Sequence, residues 1–269
     1  MAFVFYLFVF VFGLIVGSFL NCVIYRLEKE ESFMKGRSYC PHCRHALSWK
    51  DLFPLFSFLF LGGKCRYCKE KISWQYPAVE ALTGLIFLLT FNFQAALTVV
   101  YLLIIICFLI IIFIYDLKHY IIPDKVLFPA IIIVLIYRML IFLESNHWKL
   151  IDNGSLKIDN FQSLSGPIFS AIGASAFFLA IFLVSRGKWM GFGDVKLAFF
   201  MGLFLGFPSI LLALFLSFFF GAIMGVGLIF AKKKKLKSEI PFGPFLIAGT
   251  FVALFYGERI ITWYLNLIL

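Results

Sequence analysis

The chain has 269 residues, 62% hydrophobic and 20% aromatic. That balance excludes an ordinary soluble domain, in which about half the residues are apolar. Lys and Arg outnumber Asp and Glu by 24 to 14, for a formal net charge of +10. In so apolar a chain the excess is read as a topology signal, so the expected partner is the lipid bilayer and not nucleic acid.

Residues 2–20 carry no charge and suffice for one membrane crossing of roughly 20 residues. They lack a basic leading region and a small-residue cleavage site, so they read as an anchor helix and not a removed signal. Residues 81–115 are uncharged and too long for one span; the polar break Asn92-Phe93-Gln94 divides them in two around a tight turn. Residues 126–143 make a fourth span, with Arg138 near its far end, and 164–184 a fifth. The uncharged stretch 197–231 divides at Gly206-Phe207-Pro208 into a sixth and a seventh, and an eighth begins at 242. The expected fold is therefore all-α and membrane-integral, with about eight transmembrane helices. Residues 1–20 are the first helix, 21–80 an insert and 81–269 a multi-span domain. Residues 152–163 read as a polar outer loop, and no internal repeat is evident.

Eight spans put loops 21–80, 116–125, 185–196 and 231–240 on one side, and these hold 20 of the 24 basic residues. Basic loops stay in the cytoplasm, which predicts an inner-membrane protein with the insert facing inward and both termini outside. The run Lys232-Lys233-Lys234-Lys235 is read as a topology determinant.

The insert contains "CPHC" (Cys40, Cys43) and "CRYC" (Cys65, Cys68), with 21 residues between the pairs. Two Cys-x-x-Cys knuckles at this separation suit four thiolates around one tetrahedral zinc. A reducing compartment argues against the alternative of two disulfides. Four cysteines close the coordination sphere, so the expected zinc is structural, with His42 and His45 as bystanders. Cys22 and Cys107 sit in apolar stretches and read as packing residues.

Most of the fourteen acidic residues fall in charged or outer segments, which leaves Glu80, Asp116, Asp124 and Asp194 at the membrane boundary. Ionisable residues there are functional candidates. Asp124 follows Pro123 and is well explained as a helix N-cap. Asp116 closes the third span in "IYDLKHYIIPD", and Asp194 follows Gly193 in "GFGDVKL". Two carboxylates from different helix ends, meeting at one depth, would share a proton. Peptide hydrolysis by an aspartic dyad requires that arrangement.

Taken together, "GSFLNCVIYRL" (17–27), both cysteine pairs, "ISWQYPAVEALTG" (72–84), "DLKHYIIPD" (116–124), "GFGDVKL" (191–197) and "PFGPFLIAG" (241–249) resemble the bacterial type IV prepilin peptidases, the GxGD membrane aspartic proteases. The resemblance implies a protease cutting after a glycine in the basic leader of type IV prepilins or pseudopilins. Its catalytic aspartates fall on Asp116 and Asp194. Members with the four-cysteine insert usually N-methylate the new amino terminus with S-adenosylmethionine. No glycine-rich turn for that cofactor is seen, and residues 76–84 are the expected neighbourhood, with Glu80 either binding or orienting an amine or simply serving as a helix-boundary carboxylate near the N-terminus of the second span. The acidic cluster Glu28-Lys29-Glu30-Glu31 is expected to be a solvated stretch with at most a modest attraction for a basic leader.

Three other readings stay open. One is a peptidase without methyltransferase activity. Another is a non-enzymatic zinc-ribbon assembly factor, which would leave the two aspartate motifs without purpose. The last is a transporter, which should carry ionisable residues near the membrane midplane.

Overall fold

The computed structural model describes residues 2–32, 36–91, 96–149, 159–230 and 240–268. These form helices α1 (Ala2–Glu28), α2 (Phe56–Phe60), α3 (Gln75–Thr90), α4 (Ala96–His119), α5 (Asp124–Lys149), α6 (Asp159–Ser185), α7 (Phe192–Leu205), α8 (Ser209–Phe230) and α9 (Gly243–Ile268). Among the described residues, pairing of extended chain is limited to two isolated bridges in the insert. The protein is a nearly all-helical, multi-pass membrane protein.

A helix occupies each of the eight expected positions, but six of them are long and apolar enough to cross a bilayer: α1, α4, α5, α6, α8 and α9. The described helix α3 has 16 residues and α7 has 14. At 1.5 Å per residue these are about 24 and 21 Å long, short of a hydrocarbon core of about 30 Å. Helix α7 is short because glycines bound it: Gly191 is its N-cap, and Gly206, at φ +70°, ends it. Helix α6 starts at Asp159, inside the stretch expected as an outer loop, and α5 runs on to Lys149. The Asn92-Phe93-Gln94 break and the Lys232–235 run lie outside the described residues, as does most of the expected outer loop.

The chain divides into two compact units, residues 1–111 and 112–269. In the first, α1 packs along α3. The approach is close because α1 presents glycine: a Cβ at Gly17 would lie 2.8 Å from Glu80 Cα, and one at Gly13 2.7 Å from Gly84 Cα. Asn21 then donates to the Tyr76 carbonyl at 3.0 Å, fixing the register of the pair. Buried Arg26 closes α1 by donating to the carbonyls of Ser32, Gly36 and Arg37.

In the second unit α6 packs on α7 and α8 on α9, with α5 against α6 and α7, and α7 against α9. Helix α7 is central, and Leu197, Ala198, Phe200 and Met201 are fully buried. It meets α6 at Gly202, where a side chain would run into the Ala171 backbone. Buried hydroxyls within these helices are satisfied locally, as Ser217 donates to the Ala213 carbonyl and Thr250 to that of Leu246. Gly202→Leu should therefore part α7 from α6. Overpacking of this kind costs about 1–3 kcal/mol. Thermal unfolding in detergent should show a lowered midpoint, with Gly202→Ala intermediate.

Candidate active site and metal centre

Asp116 lies in the last turn of α4, which is capped where Tyr120 takes a φ of +58° and donates its N–H back to the Asp116 carbonyl at 2.9 Å. The chain then turns through Ile121 and Ile122 to Pro123 and enters α5 at Asp124. Asp194 is the third residue of α7, its N–H bonded to the Gly191 carbonyl. Both carboxylates are buried.

Three contacts bring them to one place. Gly243, the first residue of α9, lies so close to the Asp116 carboxylate that any Cβ would overlap it. Ile122 fills the space next to this point: a Cβ on Gly243 would sit 3.5 Å from its Cδ1, and one on Gly193 3.2 Å from its Cβ. Asp194 follows Gly193 directly. Glycine at 193 and 243 thus lets α7 and α9 close on the turn after α4; a side chain at 243 would displace the Asp116 carboxylate, and one at 193 would crowd Ile122. Asp116 Oδ2 is buried with no hydrogen-bond partner among the described residues. Asp194 lies outside the six long spans. Burial, and then the neighbouring Asp116 carboxylate, push its carboxyl up to about 7.

The structure gives Asp124 a partner that sequence reasoning missed. Lys196 Nζ donates to both Asp124 oxygens at 2.8 Å, packed over the rings of Phe128 and Phe192 at 5.6 and 5.4 Å. Asp124 is the first residue of α5, so it serves there as an ion-pair partner as well as a helix-start residue. The bridge ties the segment that follows Asp116 to the helix that carries Asp194. The signal was in the sequence, since Lys196 is part of "GFGDVKL", but no spacing rule links it to Asp124, 72 residues earlier.

In the insert the four cysteine sulfurs lie within 4.8 Å of one another, and none forms a disulfide. Cys40 Sγ and Cys68 Sγ are 3.9 Å apart. A disulfide needs about 2.05 Å, whereas tetrahedral ligands about 2.3 Å from zinc lie about 3.8 Å from each other. The cluster fits a metal ion. Its two halves are one motif used twice, a repeat not evident in the sequence. Cys40 donates to the His45 carbonyl and Cys65 to that of Glu70; Arg44 and Lys69 both adopt positive φ, at +56° and +60°. The bridges Tyr39–Ala46 and Lys64–Lys71 close the two turns. The His45 ring lies against that of Tyr67, tilted by 36°, with centroids 3.7 Å apart, joining the halves by packing.

Glu80 is buried and already occupied. Its carboxylate accepts the Leu55 N–H at 2.8 Å. Of the acidic cluster, Glu31 accepts the Tyr39 hydroxyl at 2.8 Å.

Comparison with known proteins gives one consistent result. Residues 11–93 match the bacterial peptidase A24 N-terminal domain and residues 103–226 the type IV leader peptidase family. A prepilin leader peptidase/N-methyltransferase of Aeromonas hydrophila is 31% identical, covering 96% of this chain and 93% of its own. The protein of that name in Bacillus subtilis (strain 168) is 31% identical, covering 97% and 98%, and one in Pseudomonas aeruginosa 30%, covering 94% and 91%. No solved structure matches the chain significantly. With both domain matches in order and near-complete coverage of such relatives, the chain belongs to the type IV leader peptidase family.

Proposed function

We propose that the chain is a membrane aspartic endopeptidase that removes the basic leader of type IV prepilins or pseudopilins and then N-methylates the new amino terminus. The observation that carries the peptidase half is the pair of buried carboxylates, Asp116 and Asp194, from the ends of two helices. A pair so placed shares one proton, because two negative charges cannot both be held close together in an apolar setting. The ionised member takes a proton from water, whose oxygen bonds to the scissile carbonyl carbon. The protonated member gives its proton to the carbonyl oxygen. Collapse of the tetrahedral adduct breaks the C–N bond, and the amine leaves with a proton from the pair.

Zinc is the metal best suited to four cysteine thiolates, and with no open position it would hold the insert together and do no chemistry. The methyl donor implied by the N-methyltransferase relatives is S-adenosylmethionine, which supplies an electrophilic methyl group to the freed amine. Glu80, expected beside that amine, is buried and engaged by the Leu55 N–H, so no step is assigned to it. With the shorter α3 and α7 taken as crossing alongside the six long spans, the basic bias of the loops supports placing the insert and the active site together on the cytoplasmic side of the inner membrane, where prepilin leaders are presented.

Purified protein incubated with a prepilin, with and without S-adenosylmethionine, should give a shortened product by mass, heavier by one methyl group when the cofactor is present. Asp116→Asn or Asp194→Asn should each lower cleavage by several orders of magnitude with melting temperature and metal content kept, because the two groups act as one unit. Cleavage retained by either variant would end the assignment.

The pH dependence follows from Asp194. Its carboxyl is raised, so the proton is present below about pH 7 and lost above it. Turnover should fall on the alkaline side as the pair gives up its shared proton, with a midpoint near 7 in a pH profile of kcat.

Lys196→Met and Asp124→Asn should act on geometry. Misplacement by about 1 Å can cost 10²-fold in rate, whereas an exposed ion pair adds little stability. Turnover should drop about 10- to 100-fold with the melting temperature almost unchanged, and the exchanged pair Asp124→Lys with Lys196→Asp should recover part of it. Full activity in both single variants would make the bridge a surface ornament.

Cys40→Ser or Cys65→Ser should release metal, measured by elemental analysis, and impair methylation more than proteolysis. Protein purified without chelator and lacking zinc would overturn this reading.

A further inference from the structure

The insert carries an apolar surface that neither the metal cluster nor the proposed chemistry uses. Residues 52–63, "LFPLFSFLFLGG", are uncharged, and eight of these twelve residues are Phe or Leu. A run of 10–14 apolar residues is too short to span a bilayer and belongs to a buried core or to an interfacial segment. Here it is no core. Phe58 alone is buried, against Gly63 and edge-on to Trp74 at 4.9 Å between centroids. Trp49, Leu59, Phe60 and Trp74 are 68–87% exposed, and Phe53 and Phe56 also face outward.

The surroundings of this surface say what covers it. Its central turn, at Leu55, is pinned by the 2.8 Å bond from the Leu55 N–H to the Glu80 carboxylate. Glu80 stands five residues into α3, about 7.5 Å along the helix from its start. It packs on Gly17 of α1, inside the uncharged stretch of that helix. The turn is therefore held beside α1, which is long and apolar enough to cross the bilayer, and Phe19 of α1 and Leu82 of α3, each two residues from this contact, are exposed. The backbone is prepared for an apolar medium too. Pro54 has no N–H, and at least seven of the nine amides from 55 to 63 donate within the segment or to Glu80. Irregular backbone survives near lipid only when its polar groups are satisfied in this way.

We propose that residues 49–60 are a monotopic anchor whose aromatic and leucine side chains enter the leaflet at which α1 and α3 meet the insert. Trp49 and Trp74 sit at the headgroup level, where tryptophan is favoured, and Lys50, over the Trp49 ring, faces the phosphates. The metal cluster grips this anchor from the other side. Asp51 accepts Arg66 Nε at 2.7 Å and the Tyr67 hydroxyl at 3.3 Å, both from the second knuckle. Glu80 thereby acquires a function of its own, as the acceptor that fixes the depth of the anchor.

The test uses the full-length protein in vesicles of phosphatidylethanolamine and phosphatidylglycerol, with p-benzoylphenylalanine in place of Phe56 or Phe60. Illumination should give phospholipid adducts at both positions, at least tenfold more than with the same group at Lys69. Crosslinks to a second copy or to an added prepilin in place of lipid would overturn the proposal, as would the absence of any lipid adduct. Fluorescence gives an independent reading that needs no new side-chain chemistry. With shallowly brominated phospholipid, the quenched fraction should fall in the Trp49→Phe, Trp74→Phe double variant, and an unchanged fraction would equally overturn it.

Discussion

Two carboxylates placed together among apolar helices set the terms for the second unit. Taking a charge out of water costs several kcal/mol even after the protein relaxes, and a like charge alongside raises that cost. The arrangement persists only if surrounding packing holds the pair in place. The packing here is supplied by absence of side chains. Gly193 and Gly243 let the starts of α7 and α9 close on Ile122 and on Asp116 itself, and Gly202 lets α7 lie directly on the backbone of α6. Close packing around α7, concentrated in fully buried residues such as Leu197 and Met201, provides the van der Waals contact that offsets the cost. On the proposed reading, the free energy stored in crowding the carboxylates is what keeps a proton available between them.

Much of this was legible in the sequence. Charge-free runs located the long helices, because lipid allows few charges. Two glycines before Asp194 and a boundary position for Asp116 singled out the carboxylates from a pool of fourteen acidic residues. What stayed hidden was whatever depends on contact between distant segments. Helices α3 and α7 fall below spanning length because their ends are set by caps and turns, which hydropathy does not see. Lys196 looked like one more basic loop residue until α5 and α7 were seen side by side. Glu80 matched a functional pattern, a carboxylate at a membrane boundary, and the structure shows it occupied by a backbone amide. A boundary carboxylate can serve chemistry or can satisfy a donor, and only its partners distinguish the two.

The two knuckles illustrate a different limit. "YCPHCRHA" and "KCRYCKEK" share only their cysteine pair, so no repeat is evident by residue matching. Their backbones nevertheless follow one path, down to the positive φ of Arg44 and Lys69. The turn geometry is dictated by directing two sulfurs at one point, and residues of any kind that tolerate the turn will serve. The segment between the knuckles is then free to diverge, and in this chain it has become a strongly apolar surface.

The Asp124–Lys196 bridge shows how an interaction of little thermodynamic weight can still matter. Asp124 is half exposed and Lys196 partly so, and pairs in that setting contribute only about 0–1 kcal/mol to folding. The pair nevertheless links the segment just after Asp116 to the first turn of α7, and Lys196 is held between two aromatic rings that limit its freedom. Its effect is therefore on the relative position of two helix ends that packing already brings near each other. Glycine contacts alone permit approach but do not define it, since nothing in a glycine resists sliding. A charged side chain fixed at both oxygens of its partner does resist. In this protein the fold supplies proximity through missing side chains and register through a surface charge pair.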